Sequence, residues 1–306
     1  LGDVYKRQLR VPLQDLMDTA TRRRMEIMFG VGHKFHIYRY GIPTKIEIET
    51  IKKHFSMIEE LELVLGWETI DEQVSKIQFL KDETRLPIVL SRVNRNDASK
   101  TSGGKYNHLI SHGFTIAEIP EIAPFIRKHP LLLDGVQFTI PRSVKPWNAG
   151  RELQIFKNDT NCKPTLYVKS TEASPAQRFD DEITNAIRFS ESVLSGIGFG
   201  IDIILDTFDD ADRGYFTRTG LIDRRFNPRI AGQLISELIR QLDEGTWKAV
   251  ESESPKVIND KGNIMRIGTI SEISKDAKWY DPQTGLSGDA SNISEAASKL
   301  VVIRSR

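Results

Sequence analysis

The sequence predicts an α/β protein built as a (β/α)8 TIM barrel that lacks its first strand, followed by a small C-terminal β-type tail. Three observations predict it. Apolar strand-like runs alternate with helix-like segments from Leu9 to Gly245, at a spacing of roughly 20 to 35 residues that suits a closed barrel or an open doubly wound sheet. No Gly-rich dinucleotide fingerprint opens a helix after any strand, since "GVGHKF" precedes a strand instead. Seven strands preceded by one orphan helix are what remains of an eight-fold barrel once its first strand is removed.

In chain order, "LQDLMDTATRRRMEIMF" reads as the orphan helix, "KFHIYRY" as a strand and "KIEIETIKKHFSMIEEL" as a helix. "LELVLGW" is a short apolar strand, and "TIDEQVSKIQFLKDE" is a helix with Thr69 as N-cap. "LPIVLSRVN" and "FTIAEIP" are strands separated by the helix candidate "KYNHLISHG", and "IAPFIRKH" is a short helix. "DGVQFTIPR" leads to "PWNAGRELQIFKN", where Pro146 suits the first helical turn. "PTLYVKST" leads to "DDEITNAIRFSESVLSG", whose acidic start complements the helix dipole. "GIDIILDT" leads to a last helix capped by Asn227, opened by Pro228 and stopped by Gly245. The strands are apolar without clean alternation, which predicts burial on both faces and a parallel sheet. Residues 246–306 turn rich in Ser, Lys, Asp and Gly, and read as a β appendage or partly disordered tail around "NIMRIGTI" and "KLVVIRS".

Leu1 to Gln8 stand apart. "DVYKRQ" back-translates into a string similar to the end of a transposon adaptor, so residues 1–8 are read as a sequencing or cloning scar, and residues 9–245 as the barrel of a fragment. On that reading one more strand belongs upstream of "LRVPLQDLMD".

Composition narrows the function. Lys plus Arg number 43 against 42 Asp plus Glu, with no basic segment, which argues against a nucleic-acid partner. The single Cys162 rules out an internal disulfide framework and a multi-cysteine zinc cage. No apolar run reaches the roughly 20 residues that span a bilayer. The expected protein is soluble and cytoplasmic, binds a small carbohydrate, and has no cofactor, membrane or nucleic-acid partner.

Barrel chemistry sits at the C-terminal ends of strands. Polar residues there are His36, Trp67, Arg92 and Asn94 with Asp97 beyond, then Glu118, Arg142, Lys169, Glu172 and Asp206. Paired carboxylates flanking a sugar need one acid/base and one nucleophile or base. Glu172, directly after "LYVKST", is the expected nucleophile, and Glu118 or Asp97 its partner. Lys169 offers Schiff-base chemistry instead. A divalent-metal site for sugar isomerisation would draw on His36, Glu118 and Asp206, and is ranked last. The loop "DTFDDADRGYF" places Asp206, Arg213 and Tyr215 against a polyhydroxylated ligand.

"RGYFTRTGLIDRRFNPRIAGQLISEL" resembles the closing segment of glycoside-hydrolase barrels of the large retaining clan. The matching residues are Gly220, Leu221, Asp223, Pro228, Arg229 and Ala231. The resemblance implies a hydrolase with Glu172 at the nucleophile position of the seventh strand. It departs where that clan carries an Asn-Glu pair: "SRVNRND" has Asn94 and no Glu. The expected function is therefore a carbohydrate-active hydrolase. A sugar isomerase or epimerase, a Schiff-base aldolase and a non-catalytic sugar-binding barrel stand as alternatives.

Overall fold

A computed structural model describes residues 8–93, 112–170, 182–205, 220–241, 246–269, 275, 277–281, 284–292 and 300–305. Strands β1 (Gln8–Pro12), β2 (Lys34–Tyr40), β3 (Ile58–Val64), β4 (Ile88–Ser91), β5 (Gly135–Ile140), β6 (Lys163–Val168) and β7 (Asp202–Leu205) form one parallel sheet in that order. Strand order that follows chain order without reversal is barrel connectivity, since a doubly wound sheet reverses at its switch point. The helices between the strands complete a TIM-like β/α arrangement. By contacts the chain forms two compact units, one of Gly2–Thr139 with Ile155–Thr165, the other of Ile140–Gln154 with Leu166–Arg306.

In the first unit, two elements differ from the sequence reading. A strand not expected from the sequence, β1, pairs in parallel with β2 and sets Arg10 opposite His36. Its sequence, QLRVP, alternates Leu9 and Val11 with polar residues, so it carries no apolar run to announce it. The expected strand "FTIAEIP" is a single parallel bridge from Phe114 to Phe138 followed by a helix start. Thr115 and Glu118 close a capping box there, with Glu118 Oε2 accepting from Thr115 N at 2.6 Å. Pro120 then suits the first turn of α5 (Ile119–Lys128) because that turn's N–H groups need no intrahelical partner. The earlier helices are α1 (Leu13–Met17), α2 (Thr19–Gly30), α3 (Lys45–Lys53) and α4 (Ile70–Thr84). Local sequence explains their ends: Thr44 and Glu47 form a capping box on α3, and α4 stops at Arg85 in the left-handed region.

Strands β4 and β5 are buried throughout, as expected, while β1 and β7 are only half-buried, and β2 and β3 do alternate. Phe35, Ile37, Leu61 and Leu63 form an apolar face, each 1% exposed or less. His36, Tyr38, Tyr40, Glu60 and Glu62 occupy the opposite face by the period-2 geometry of strands. A register shift between Phe35 and His36 brings His36 opposite Glu60 rather than Glu59.

In the second unit, α7 (Glu182–Phe199) and α8 (Ile230–Gln241) pack together, and the start of α6 (Pro146–Thr160) packs on α7. Gly150 allows the α6 approach, since a Cβ there would collide with Ser195 and Phe199. Trp147 stacks against Phe199 with centroids 4.6 Å apart. Residues from Trp247 onward form a second sheet of β8 (Trp247–Ala249), β9 (Lys256–Asn259), β10 (Ile264–Thr269), β11 (Lys278–Tyr280), β12 (Ser287–Asp289) and β13 (Leu300–Ser305). Its order is β12-β11-β13-β10-β9-β8, antiparallel throughout. It lies on α7, where Gly198 faces Val257 and Ala249. No described helix is long and apolar enough to cross a membrane.

Gly113 offers a test of the first unit. Its φ is +120°, and a Cβ would sit 2.9 Å from the Phe138 carbonyl carbon. Gly32 has φ +95° but open space around it. Gly113→Ala should cost on the order of 2–4 kcal/mol in urea unfolding, from strain plus backbone collision. Gly32→Ala should cost only about 1 kcal/mol, and equal losses would contradict this packing.

Candidate functional site

The polar face of β1–β3 in the first unit holds a connected cluster of buried charge. Glu62 is fully buried and takes a two-pronged contact from Arg10, with Nε to Oε2 at 2.7 Å and Nη2 to Oε1 at 2.9 Å. His36 stands between two carboxylates, with Nδ1 2.6 Å from Glu60 and Nε2 2.8 Å from Glu62. Arg10 reaches onward, its Nη2 lying 2.5 Å from His112 Nδ1. The other ring nitrogen of His112 meets the Tyr40 hydroxyl. Arg10 also lies over the Tyr38 ring, 4.2 Å from its centroid.

The chain of contacts ends at the surface. Tyr40 is the last residue of β2 and is 45% exposed, while His112 is 5% exposed. His112 follows β4 through an antiparallel bridge to Val93. Its backbone carbonyl accepts from Gln137 Nε2 at 3.2 Å and from Thr139 Oγ1. The Tyr40–His112 pair thus lies at the C-terminal ends of β2 and β4, the end of a β/α barrel that carries chemistry.

Protonation follows from these contacts. Carboxylates only accept, so both ring nitrogens of His36 must carry hydrogen, and the ring is an imidazolium. Burial alone would lower its pKa, but the hydrogen bonds and charges of Glu60 and Glu62 outweigh burial and raise it. Burial would raise Glu62, and the Arg10 charge and the His36 bond hold it far below the usual carboxylate range. Glu60 is likewise lowered against burial by His36. Two carboxylates therefore balance one imidazolium and one guanidinium. His112 is the opposite case: burial first, then the Arg10 charge, press it down to about 4. A guanidinium only donates, so His112 Nδ1 accepts and its hydrogen sits on Nε2, facing Tyr40. Burial pushes the Tyr40 phenol up to about 12, so it stays protonated at neutral pH.

The residues expected from sequence fall in several places. His36 lies within β2, away from its C-terminal end, with both nitrogens occupied. Trp67 and Arg92 gather at Phe114, and Arg92 reaches Glu118. Trp67 meets the Phe114 and Phe125 rings edge-on at 5.3 and 5.5 Å, and Arg92 bridges Glu118 and Glu68 at 3.3 Å each. One oxygen of Glu118 is thus held by Arg92 and the other by Thr115. In the second unit, Arg142 and Lys169 give their backbone carbonyls to Arg188 of α7, at 3.1 and 2.9 Å. Arg188 also binds the carbonyls of Val144 and Pro141, so one guanidinium ties down the chain beyond β5 and β6. Glu172, Asp97, Asn94, Asp206, Arg213 and Tyr215 lie outside the described residues. Among the described residues no group of His, Cys, Asp and Glu is arranged to hold a metal.

Sequence reasoning missed Arg10, Tyr38, Tyr40, Glu60, Glu62 and His112. The signal was available in "HIYRY" and "EELEL", where polar residues recur at every second position of an otherwise apolar strand. Fold and charged face together define a TIM-like β/α protein whose strand wall carries a buried ionic cluster. Compared with protein-family models and with curated proteins, the sequence matches none.

The His112 shift fixes a pH dependence. Its folded pKa of about 4 lies below the ordinary 6.5, so stability is present above pH 6.5 and is lost as pH falls from 6.5 towards 4. The loss should reach about 3 kcal/mol. His36, shifted upward, loses its contribution only as pH rises through its own folded value. Urea titrations between pH 7 and 4 should therefore show a shallower decline for His112→Gln than for wild type. Parallel declines would contradict a neutral buried His112.

Proposed function

We propose that the chain is an acid–base enzyme on a TIM-like barrel, acting on a small polyhydroxylated substrate of the sugar class. Tyr40 donates and recovers a proton at a substrate oxygen. What carries this reading is a half-exposed phenol at a strand's C-terminal end, hydrogen-bonded to a buried neutral histidine whose far nitrogen rests on Arg10. A phenol protonated at neutral pH is a general acid. The phenolate left behind accepts from His112 Nε2–H, and the Arg10 charge behind the ring favours that negative oxygen. Such chemistry suits isomerisation or epimerisation through an enediol: the carbon-bound proton leaves to solvent water as Tyr40 protonates the neighbouring carbonyl oxygen, and no covalent nucleophile is needed. Trp67 and Arg92, gathered near the ends of β3 and β4, supply an aromatic edge and a cation for substrate positioning.

Glycoside hydrolysis through Glu172 is the second reading. It is favoured by the resemblance of Arg213 to Leu238 to retaining hydrolases, and by the place of Glu172 shortly after β6.

The two readings separate by assay. Free sugars incubated with the protein in D2O should exchange a carbon-bound proton, visible by NMR. Tyr40→Phe keeps the ring and should slow that exchange about a hundredfold or more. Aryl-glycoside cleavage that survives Tyr40→Phe and disappears in Glu172→Gln would instead establish the hydrolase.

A further inference from the structure

The geometry points to Glu62 as a coupler that joins His36 and His112 into a two-histidine unit holding one proton beyond those of two neutral rings at neutral pH, on His36. Loss of that proton is then felt at His112 and, through it, at Tyr40.

The shared carboxylate makes the link. Glu62 Oε2 accepts from His36 Nε2 at 2.8 Å and from Arg10 Nε at 2.7 Å. Its Oε1 accepts from Arg10 Nη2 at 2.9 Å and lies 3.8 Å from His112 Nδ1. All of these atoms are buried or nearly so, with Glu62 at 0% and His36 at 2% exposure. Water therefore screens their interactions little. While His36 is an imidazolium, Arg10 and His36 together neutralise Glu62, and Arg10 keeps its proton donor aimed at the bare Nδ1 of His112. If His36 gives up a proton, one of its nitrogens turns a lone pair towards a carboxylate. Glu62 then keeps Arg10 as its one positive partner, so its charge is less compensated towards His112, and that ring becomes a better base. The proton favoured at one histidine is thus disfavoured at the other, with the carboxylate between them setting the exchange.

The described charged groups around the pair fit this arrangement. Arg10 of β1 faces the His112 ring, Glu60 and Glu62 of β3 face His36, and Tyr38 and Tyr40 of β2 face His112 edge-on. Lys163 at the start of β6 acts on Glu60, and Asp15 of α1 acts on Tyr38. Among the described residues His112 meets Arg10, Glu62, Tyr38 and Tyr40 but not Glu60, so an effect of Glu60 on His112 passes through His36 and Glu62.

The test is 15N NMR of the full chain labelled at histidine, read against pH. In wild type, His36 should show two ring N–H groups at pH 7, and His112 one, on Nε2. Glu60→Gln removes the negative charge beside His36 and should raise the proton affinity of His112 about tenfold, roughly the coupling at which two groups titrate as a pair. Should that variant fail to fold, wild type alone decides: the His112 shift should bend a second time at the pH where His36 deprotonates. A singly protonated His36 at pH 7, or a His112 curve indifferent both to Glu60→Gln and to the His36 titration, would overturn the proposal. The readout is proton occupancy rather than turnover, so it stands or falls apart from the role of Tyr40 in catalysis.

Discussion

The contact between Arg10 and Glu62 constrains the register of β1, β2 and β3 in the first unit. A carboxylate with no exposed surface is tolerable only with its lone pairs filled and its charge balanced, because burying an unpaired charge costs several kcal/mol. Arg10 fills both oxygens, and His36 supplies the remaining compensation for Glu62 while binding Glu60. Three strands must therefore hold one register. Arg10 has to stand opposite His36, and His36 opposite Glu60, which is what the irregularity beside Phe35 achieves. A one-residue slip of β1 would turn Arg10 towards the apolar face and leave Glu62 without its main partner.

The same cluster gives the candidate site its chemistry. His112 is neutral because it is buried beside Arg10, and its tautomer is set because Arg10 can only donate. The Tyr40 phenol therefore meets an N–H rather than a lone pair. Positive charge is held near that phenol without being exposed to it directly. In the second unit a different device does related work. Arg188 is 6% exposed and satisfies its donors on four backbone carbonyls, so its charge shapes the ends of β5 and β6. Lys169 and Arg142 are placed by it through their backbones.

Much of the architecture was legible in the sequence, and the reasons are physical. "LPIVL" and "GVQFTI" are apolar and buried on both faces, so period and composition agree with their fate as β4 and β5. Asn227 and Pro228, expected to cap and open α8, lie ahead of it instead: α8 begins at Ile230, Asn227 binds Asp223 and Pro228 bridges Ile222. β1 was hidden because QLRVP draws its stability from an ion pair 52 residues away, which no local pattern records. "FTIAEIP" misled because apolar composition favoured a strand while Thr115 and Glu118 were already building a helix start. The site was harder still. Glu60 and Glu62 look like solvent-facing residues until the far side of their strand is known to be covered, and His112 lay in a stretch read as helix.

The central claim is that Arg10 and Glu62 act as one unit. A double-mutant cycle with Arg10→Met and Glu62→Gln, measured by urea unfolding at pH 7, tests it most directly. Each single change should cost about 3–5 kcal/mol, since it strands a buried partner. The double variant should cost less than the sum by at least about 2 kcal/mol. Single losses below about 1 kcal/mol that simply add would contradict the account, because surface pairs behave that way and buried units do not.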